Sequence, residues 1–477
     1  MFIDSFLNTS RLYMLEQTAQ LPLTFSKPAW TPHDYQKRAV AMMLSQACVG
    51  LFLDPGLGKT AIALSAFKLL KQQGYCKRML VIAPLRPTFS VWPAEIKKWS
   101  NFSDLKYVIL HGKDKQDLLD VDADVFITNV DTVGWLFAND RYRQISADIL
   151  CVDESSKFRH VDTARFKAIK KYVGRFKRRW ILTGTPAPNG LIDLFGQIYL
   201  LDEGAALTPY ITRFRIKYFY QGGFGGYTWV PQPWAMDAIT ERIGPMILRM
   251  KAEDYLTMPD LQHINIKVDL PPEAAKTYRR MENEFYLQLE AGEVVAVNAA
   301  VAGGKCRQIA NGCVYGEEDV VHTVHTAKLE AFVDLIEELA GQPTLVVYEF
   351  KHDLAAMLKK VPGPYLGGGV SPRQADKIIS DFNAGKTSVL YGHPASMGHG
   401  LNLQEAAHHV IFYGITWDLE LYDQTIRRVY RQGQTHKVLV YHLVAAKTLD
   451  EVVLETLKDK DHTQATLFRA LSLYNRD

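Results

Sequence analysis

Cysteine is scarce in this chain: five residues scattered among 477, with no spacing that draws a disulfide framework. A reducing cytoplasm is the expected setting. Long apolar runs are missing as well. The longest are strand-sized, which excludes a helical membrane span, so no membrane partner is expected. The opening stretch MFIDSFLNTSRLYMLEQ lacks the basic segment and apolar core of a secretory signal. An excess of one charge is also absent, since 55 Lys and Arg against 52 Asp and Glu leave a net +3. Any surface for nucleic acid must therefore be a local basic patch. No short fixed repeat and no low-complexity tract interrupts the sequence. What remains is a globular composition, 47% hydrophobic and 22% charged, in a chain too long for one core.

Short apolar segments recur, each bounded by polar or turn residues, and they read as buried parallel strands. In the first half these are LFL before Asp54, then 79–83, 124–128, 149–153 and 179–183; in the second, 344–348, 388–391, 409–413 and 438–442. Between them lie stretches with helical apolar spacing, such as AIALSAFKLLKQQG ending at Gly74 and AKLEAFVDLIEELAG ending at Gly341. Strands alternating with helices predict α/β architecture with parallel sheets. Two such series predict two lobes, 1–245 and 246–477, with the break placed where Pro245, Pro259 and MPD interrupt the pattern.

The run Asp54-Pro55-Gly56-Leu57-Gly58-Lys59-Thr60 follows a strand and opens a helix, the context a phosphate-binding loop requires. Its glycines let backbone N–H groups converge on phosphate, and the helix N-terminus adds positive potential. Lys59 is placed to reach the β- and γ-phosphates of ATP and Thr60 to ligate Mg²⁺. The strict pattern wants glycine where Leu53 stands. At 149–154, ILCVDE sets Asp153 and Glu154 at the end of a buried strand. An acidic pair there suits metal-linked hydrolysis, with Asp153 holding Mg²⁺ and Glu154 activating water.

These residues, with others in order along the chain, resemble the Swi/Snf-related ATPases of helicase superfamily 2, above all the short phage and bacterial members. HDYQKRAV (33–40) is similar to the adenine-reading Q motif, with Gln36 as the base contact, and DPGLGKT to motif I. LVIAPLRPTFSVWPAEIKKW (80–99) resembles motif Ia and ITNVDTV (127–133) motif Ib. VDESSKF (152–158) resembles motif II, with Ser155-Ser156 where relatives often carry Ala-His, and 180–201 motif III. KCRQIANGCVY (305–315) resembles a segment of the phage-type relatives. HPASMGHGLNLQEA (393–406), containing Gly400, resembles motif V, and WDLELYDQTIRRVYRQGQ (417–434) motif VI. The resemblance spans about residues 30 to 460. It implies two tandem RecA-like lobes with an ATP cleft between them.

Motif VI also has a reading of its own. Gln424, Arg428 and Arg431 recur at i, i+4 and i+7, one face of a helix. Arginines supplied by the opposite lobe stabilise charge developing on the γ-phosphoryl. The resemblance assigns that role to Arg428 and Arg431 rather than Arg427, and makes Thr183-Gly184-Thr185 a coupling element.

Two segments bear on DNA. Residues 157–179 hold ten Lys or Arg against Asp162 alone, although Ala164, Phe166, Ala168, Ile169 and Val173 also fit a helix with a solvated basic face. Residues 210–234 hold nine aromatics with Arg213, Arg215 and Lys217 interleaved, a pattern for stacking on bases or, more readily, for a hairpin packed on its own lobe. Cys306, Cys313, His322 and His325 do not have zinc-site spacing, and His393, His399, His408 and His409 read as turn residues.

With these residues, the resemblance implies an ATP- and Mg²⁺-dependent motor moving on mostly double-stranded DNA without base specificity, in the cytoplasm of a bacterium or phage-infected host. Two rivals stand beside it: a strand-separating helicase on branched DNA or RNA, using the 217–231 hairpin as a wedge, and a non-hydrolysing DNA-binding module.

Overall fold

A computed structural model describes residues 27–222, 228–256, 258–290, 296–397 and 401–474. The first lobe is built on a seven-stranded sheet ordered β3-β4-β2-β5-β6-β1-β9. Its strands are β1 (Cys48–Leu53), β2 (Met79–Ala83), β3 (Tyr107–Leu110), β4 (Val125–Asn129), β5 (Ile149–Asp153) and β6 (Arg178–Thr183). After the hairpin β7 (Phe219–Gly222) and β8 (Thr228–Pro231) comes β9 (Ile247–Met250). Every pairing in the seven-stranded sheet is parallel. The helices between its strands cover both faces. Side chains of one strand divide accordingly: Leu150 and Val152 enter one core, Ile149 and Cys151 the other. That two-sided burial is why these strands are continuous apolar runs rather than alternating ones. Each fully buried aliphatic or aromatic side chain contributes about 1.5–3 kcal/mol relative to exposure.

The second lobe repeats the plan. Its strands are β10 (Leu261–Val268), β13 (Thr344–Val347), β14 (Tyr365–Leu366), β15 (Val389–Gly392), β16 (His409–Phe412) and β17 (Val438–Ala445), with the short hairpin β11 (Cys313–Tyr315) and β12 (Val321–Thr323) between β10 and β13. They form a parallel sheet ordered β10-β17-β16-β13-β15-β14. Leu345 and Val347 face one core and Val346 the other. Both sheets match the α/β expectation. β9 hydrogen-bonds along β1 from Gly50↔Ile247 to Leu53↔Met250 and belongs to the first sheet.

Strand order decides where chemistry can collect. The carboxyl ends of β1, β6 and β5 stand side by side, with Phe52 in register with Thr183 and Leu182 with Asp153. Three segments far apart in sequence therefore meet at one edge, which faces the second lobe. Part of the basic run 157–179 is paired within the protein, whereas Lys167, Lys171, Arg175 and Lys177 are exposed. Arg178 donates to the carbonyls of Met43 and Gln46, Arg179 pairs with Glu203, and Lys177 with Asp148. The aromatic stretch divides. Phe214, Tyr218 and Phe219 are core residues, whereas Tyr210, Tyr220 and Trp234 are about half exposed; the GGFGG turn lies beyond the described residues except for Gly222. The Cys306/Cys313/His322/His325 set gathers no metal-holding group among the described residues. Nor is any helix among them long and apolar enough to cross a membrane.

Candidate active site

The helix Lys59–Gln72 starts directly from β1 through a glycine turn. Gly56 (φ 94°) and Gly58 (φ 79°) take left-handed backbone that other residues resist. A Cβ on Gly58 would also stand 2.7 Å from Gln36 Nε2. Gln36 braces the loop from the helix Asp34–Ser45: its Nε2 donates to the Leu57 carbonyl (3.1 Å), and its Oε1 accepts from the His33 amide (3.0 Å). Lys59 Nζ donates to the Leu53 carbonyl at 2.7 Å, so the ammonium is held at the loop, and Thr60 is the next residue of the helix. Burial pulls the Lys59 ammonium below its ordinary pKa, while Glu154, Asp153 and Asp54 pull it back up.

The two carboxylates of β5 are held separately. Asp153 accepts Trp92 Nε1 on Oδ2 (2.9 Å) and the Glu154 amide on Oδ1 (3.1 Å). Glu154 has left-handed backbone (φ 54°), and its Oε1 accepts from Thr183 Oγ1 at 3.1 Å. Burial raises the pKa of both. For Glu154 the neighbouring Glu420 carboxylate adds to that rise, against the attraction of Lys59. Thr183 in turn accepts the Thr185 amide (3.1 Å), and Gly184 lies against Pro55. The Thr183-Gly184-Thr185 turn is thus a physical bridge between the glycine loop and Glu154.

The second lobe closes the cleft with the helix Leu419–Ile426 and the turn after it. Pro55, Lys59, Asp153, Glu154 and Thr185 line one wall; Asp423, Gln424, Arg427 and Arg428 line the other. Arg428 Nε donates to the Gln424 carbonyl at 2.9 Å. Burial, then the nearby Arg431, lowers its pKa to about 9, against the pull of Glu154. Arg431 turns toward the 401–402 segment, donating to the Leu401 carbonyl (3.3 Å) and to Asn402 Oδ1. The following backbone nevertheless covers the loop, with Gln432 N 4.0 Å from where a Gly56 Cβ would stand. Gly400 lies outside the described residues.

Several residues here carry no role that the sequence alone assigned. Asp54, at the head of the loop, pairs with Arg249 of β9 (2.8 Å), accepts the Ala252 amide (3.0 Å) and faces Arg427 across the cleft (3.8 Å). Burial opposes its charge, but Arg427 and Arg249 outweigh that and hold its pKa low. Asp423 is the opposite case. Burial drives its pKa up to about 7, with Asp461 and Asp54 adding to the rise and Arg427 opposing it. An arginine inside the apolar strand ILRM was the available signal for Arg249, since a buried charge requires a partner. Trp92 gave no signal.

Two polar atoms on the walls bear on a ligand. Thr185 Oγ1 and Gln424 Oε1 are buried without a hydrogen-bond partner among the described residues. Groups of this kind are accounted for by a polar ligand or water. Together with the glycine cradle, Lys59 and Arg428, they fit a triphosphate. The oxygen donors Thr60 and Asp153 fit Mg²⁺, which is bound through one or two carboxylates plus substrate phosphates rather than an all-protein cage.

Two parallel-sheet lobes with a glycine loop, an acidic pair and an arginine across the seam define a P-loop protein of two RecA-like lobes. The comparisons with known proteins agree. The model of the SNF2-related domain matches residues 35–314, and that of the helicase conserved C-terminal domain matches 327–433. Protein p41 of Acyrthosiphon pisum secondary endosymbiont phage 1 is 34% identical over 465 residues, covering 93% of this chain and 99% of that protein. SWI/SNF-related matrix-associated actin-dependent regulator of chromatin subfamily A-like protein 1 of Xenopus tropicalis is 26% identical over 435 residues, covering 85% of this chain and 42% of that one. The chain thus spans less than half the length of that relative. A solved Sulfolobus solfataricus SWI2/SNF2 ATPase core in complex with dsDNA is 23% identical at a TM-score of 0.45, covering 94% of this chain and 96% of that one. The chain belongs to the SNF2-related family.

Proposed function

We propose that this protein is a DNA-dependent ATPase that converts hydrolysis into movement along duplex DNA. The observation that carries the reading is the division of one site between two lobes. Lys59, Asp153 and Glu154 stand on one wall of the cleft and Arg428 on the other. Lys59 and the loop amides bind the phosphates, Glu154 takes the proton of the attacking water, and Arg428 meets the charge that develops on the γ-phosphoryl. Mg²⁺, when bound by Thr60 and Asp153, supplies neutralisation of the phosphate oxygens. A site assembled from both lobes is complete only when they are docked, so each turnover is tied to relative movement of the lobes. Family membership supports DNA as the track, and backbone phosphates as the contacts that hold it. The intact polar set speaks against a non-hydrolysing module.

Displacement of a third strand from a triplex tests translocation without requiring duplex melting. ATP-dependent displacement is expected, with a forked duplex left unopened. Fork opening without triplex displacement would favour the strand-separating alternative, in which the β7–β8 hairpin acts as the wedge.

A further inference from the structure

Glu420 carries no role in the chemistry above, yet its side chain is only 1% exposed within the seam between the lobes. It projects from the second-lobe helix Leu419–Ile426. Its Oε1 accepts from Ser156 Oγ (3.1 Å), Lys157 Nζ (3.0 Å) and Gln424 Nε2 (3.2 Å), and its Oε2 from Arg159 Nη1 (2.8 Å). Three of these four donors belong to the first lobe and lie within five residues of Glu154. They sit on or beside the turn Ser155–Phe158, which begins where the Glu154 backbone is left-handed. Ser155 ties this turn to its own lobe by donating to Gln197 Oε1 (2.7 Å). Glu420 ties it to the other. A carboxylate this dry is tolerable only while its cations meet it. Separation of the lobes would release Ser156, Lys157 and Arg159 and return Glu420 to water, so these three contacts form or break with docking.

We infer that Glu420 is a positioning residue for hydrolysis: by clamping Ser156, Lys157 and Arg159 from the second lobe, it orients Glu154 toward the attacking water only when the lobes are docked. The inference rests on the ATPase reading above.

The test measures ATP turnover of the full chain on duplex DNA, with thermal unfolding alongside. Glu420→Gln and Arg159→Gln are each expected to lower kcat by about tenfold or more with KM for ATP little changed. Glu420→Asp should recover part of the rate. The double variant Glu420→Gln/Arg159→Gln should be no slower than the slower single, because the two act through one contact. A folded Glu420→Gln with the wild-type kcat, or losses that simply multiply in the double variant, would overturn the inference while leaving the ATPase reading in place. Should Glu420→Gln fail to fold, Arg159→Gln decides alone: an unchanged kcat refutes the clamp. A wild-type protein without ATP turnover would overturn both readings together.

Discussion

Glu154→Gln is expected to lower kcat for ATP by about 10²–10⁴-fold, the usual contribution of a positioned general base, while ATP still binds. The amide keeps the shape of the side chain and its contact with Thr183 Oγ1, 3.1 Å away in the wild type, so the loss isolates proton transfer from folding. Burial and the neighbouring Glu420 raise the Glu154 pKa. A base works when deprotonated, so wild-type turnover should fall as pH drops through that raised value. The fall should come at higher pH than for a solvent-exposed glutamate, and the residual rate of the Gln variant should lack this limb. Steady-state turnover over pH, with nucleotide binding measured separately, checks each part. Retention of most of the rate by Glu154→Gln would remove Glu154 from the mechanism.

The second large effect is expected at Arg428. Arg428→Ala should cost about 10³-fold or more in kcat, the scale on which an arginine supplied across a cleft acts on phosphoryl transfer. Arg428→Lys should restore little, because an ammonium keeps the charge but not the forked donor geometry. Arg431 lies differently. It is fastened to Leu401 and Asn402, so Arg431→Ala should act on the 401–402 segment and the placement of the loop after it. A larger kcat loss for Arg431→Ala than for Arg428→Ala would show that the cleft rearranges in the nucleotide-bound state.

The parts of this molecule that could be read from sequence share a physical cause. β1, β2, β5 and β6 are buried on both faces, which demands the uninterrupted apolar runs visible at 149–153 and 179–183. β3 and β10 are edge strands and β9 is the opposite edge of the first sheet. In LQHINIKV only alternate positions are shielded, and in ILRM an arginine interrupts the run, so neither announced a strand. The same division holds in the site. A phosphate loop is contiguous because backbone amides must converge on one ligand, so Gly56 through Thr60 were legible. Asp54 with Arg249, 195 residues apart, and Ser156 with Glu420, 264 apart, are meetings made by the fold. For Glu420 one local trace existed: it lies four residues before Gln424, on the same helix face, and accepts from its amide.

Steady-state ATP turnover without DNA, with single-stranded DNA and with duplex DNA tests the central claim most directly. Low turnover alone, strong stimulation by duplex and weaker stimulation by single strands are expected, with none of it in Lys59→Ala or Glu154→Gln. DNA binding with no ATP turnover under any of the three conditions would contradict it.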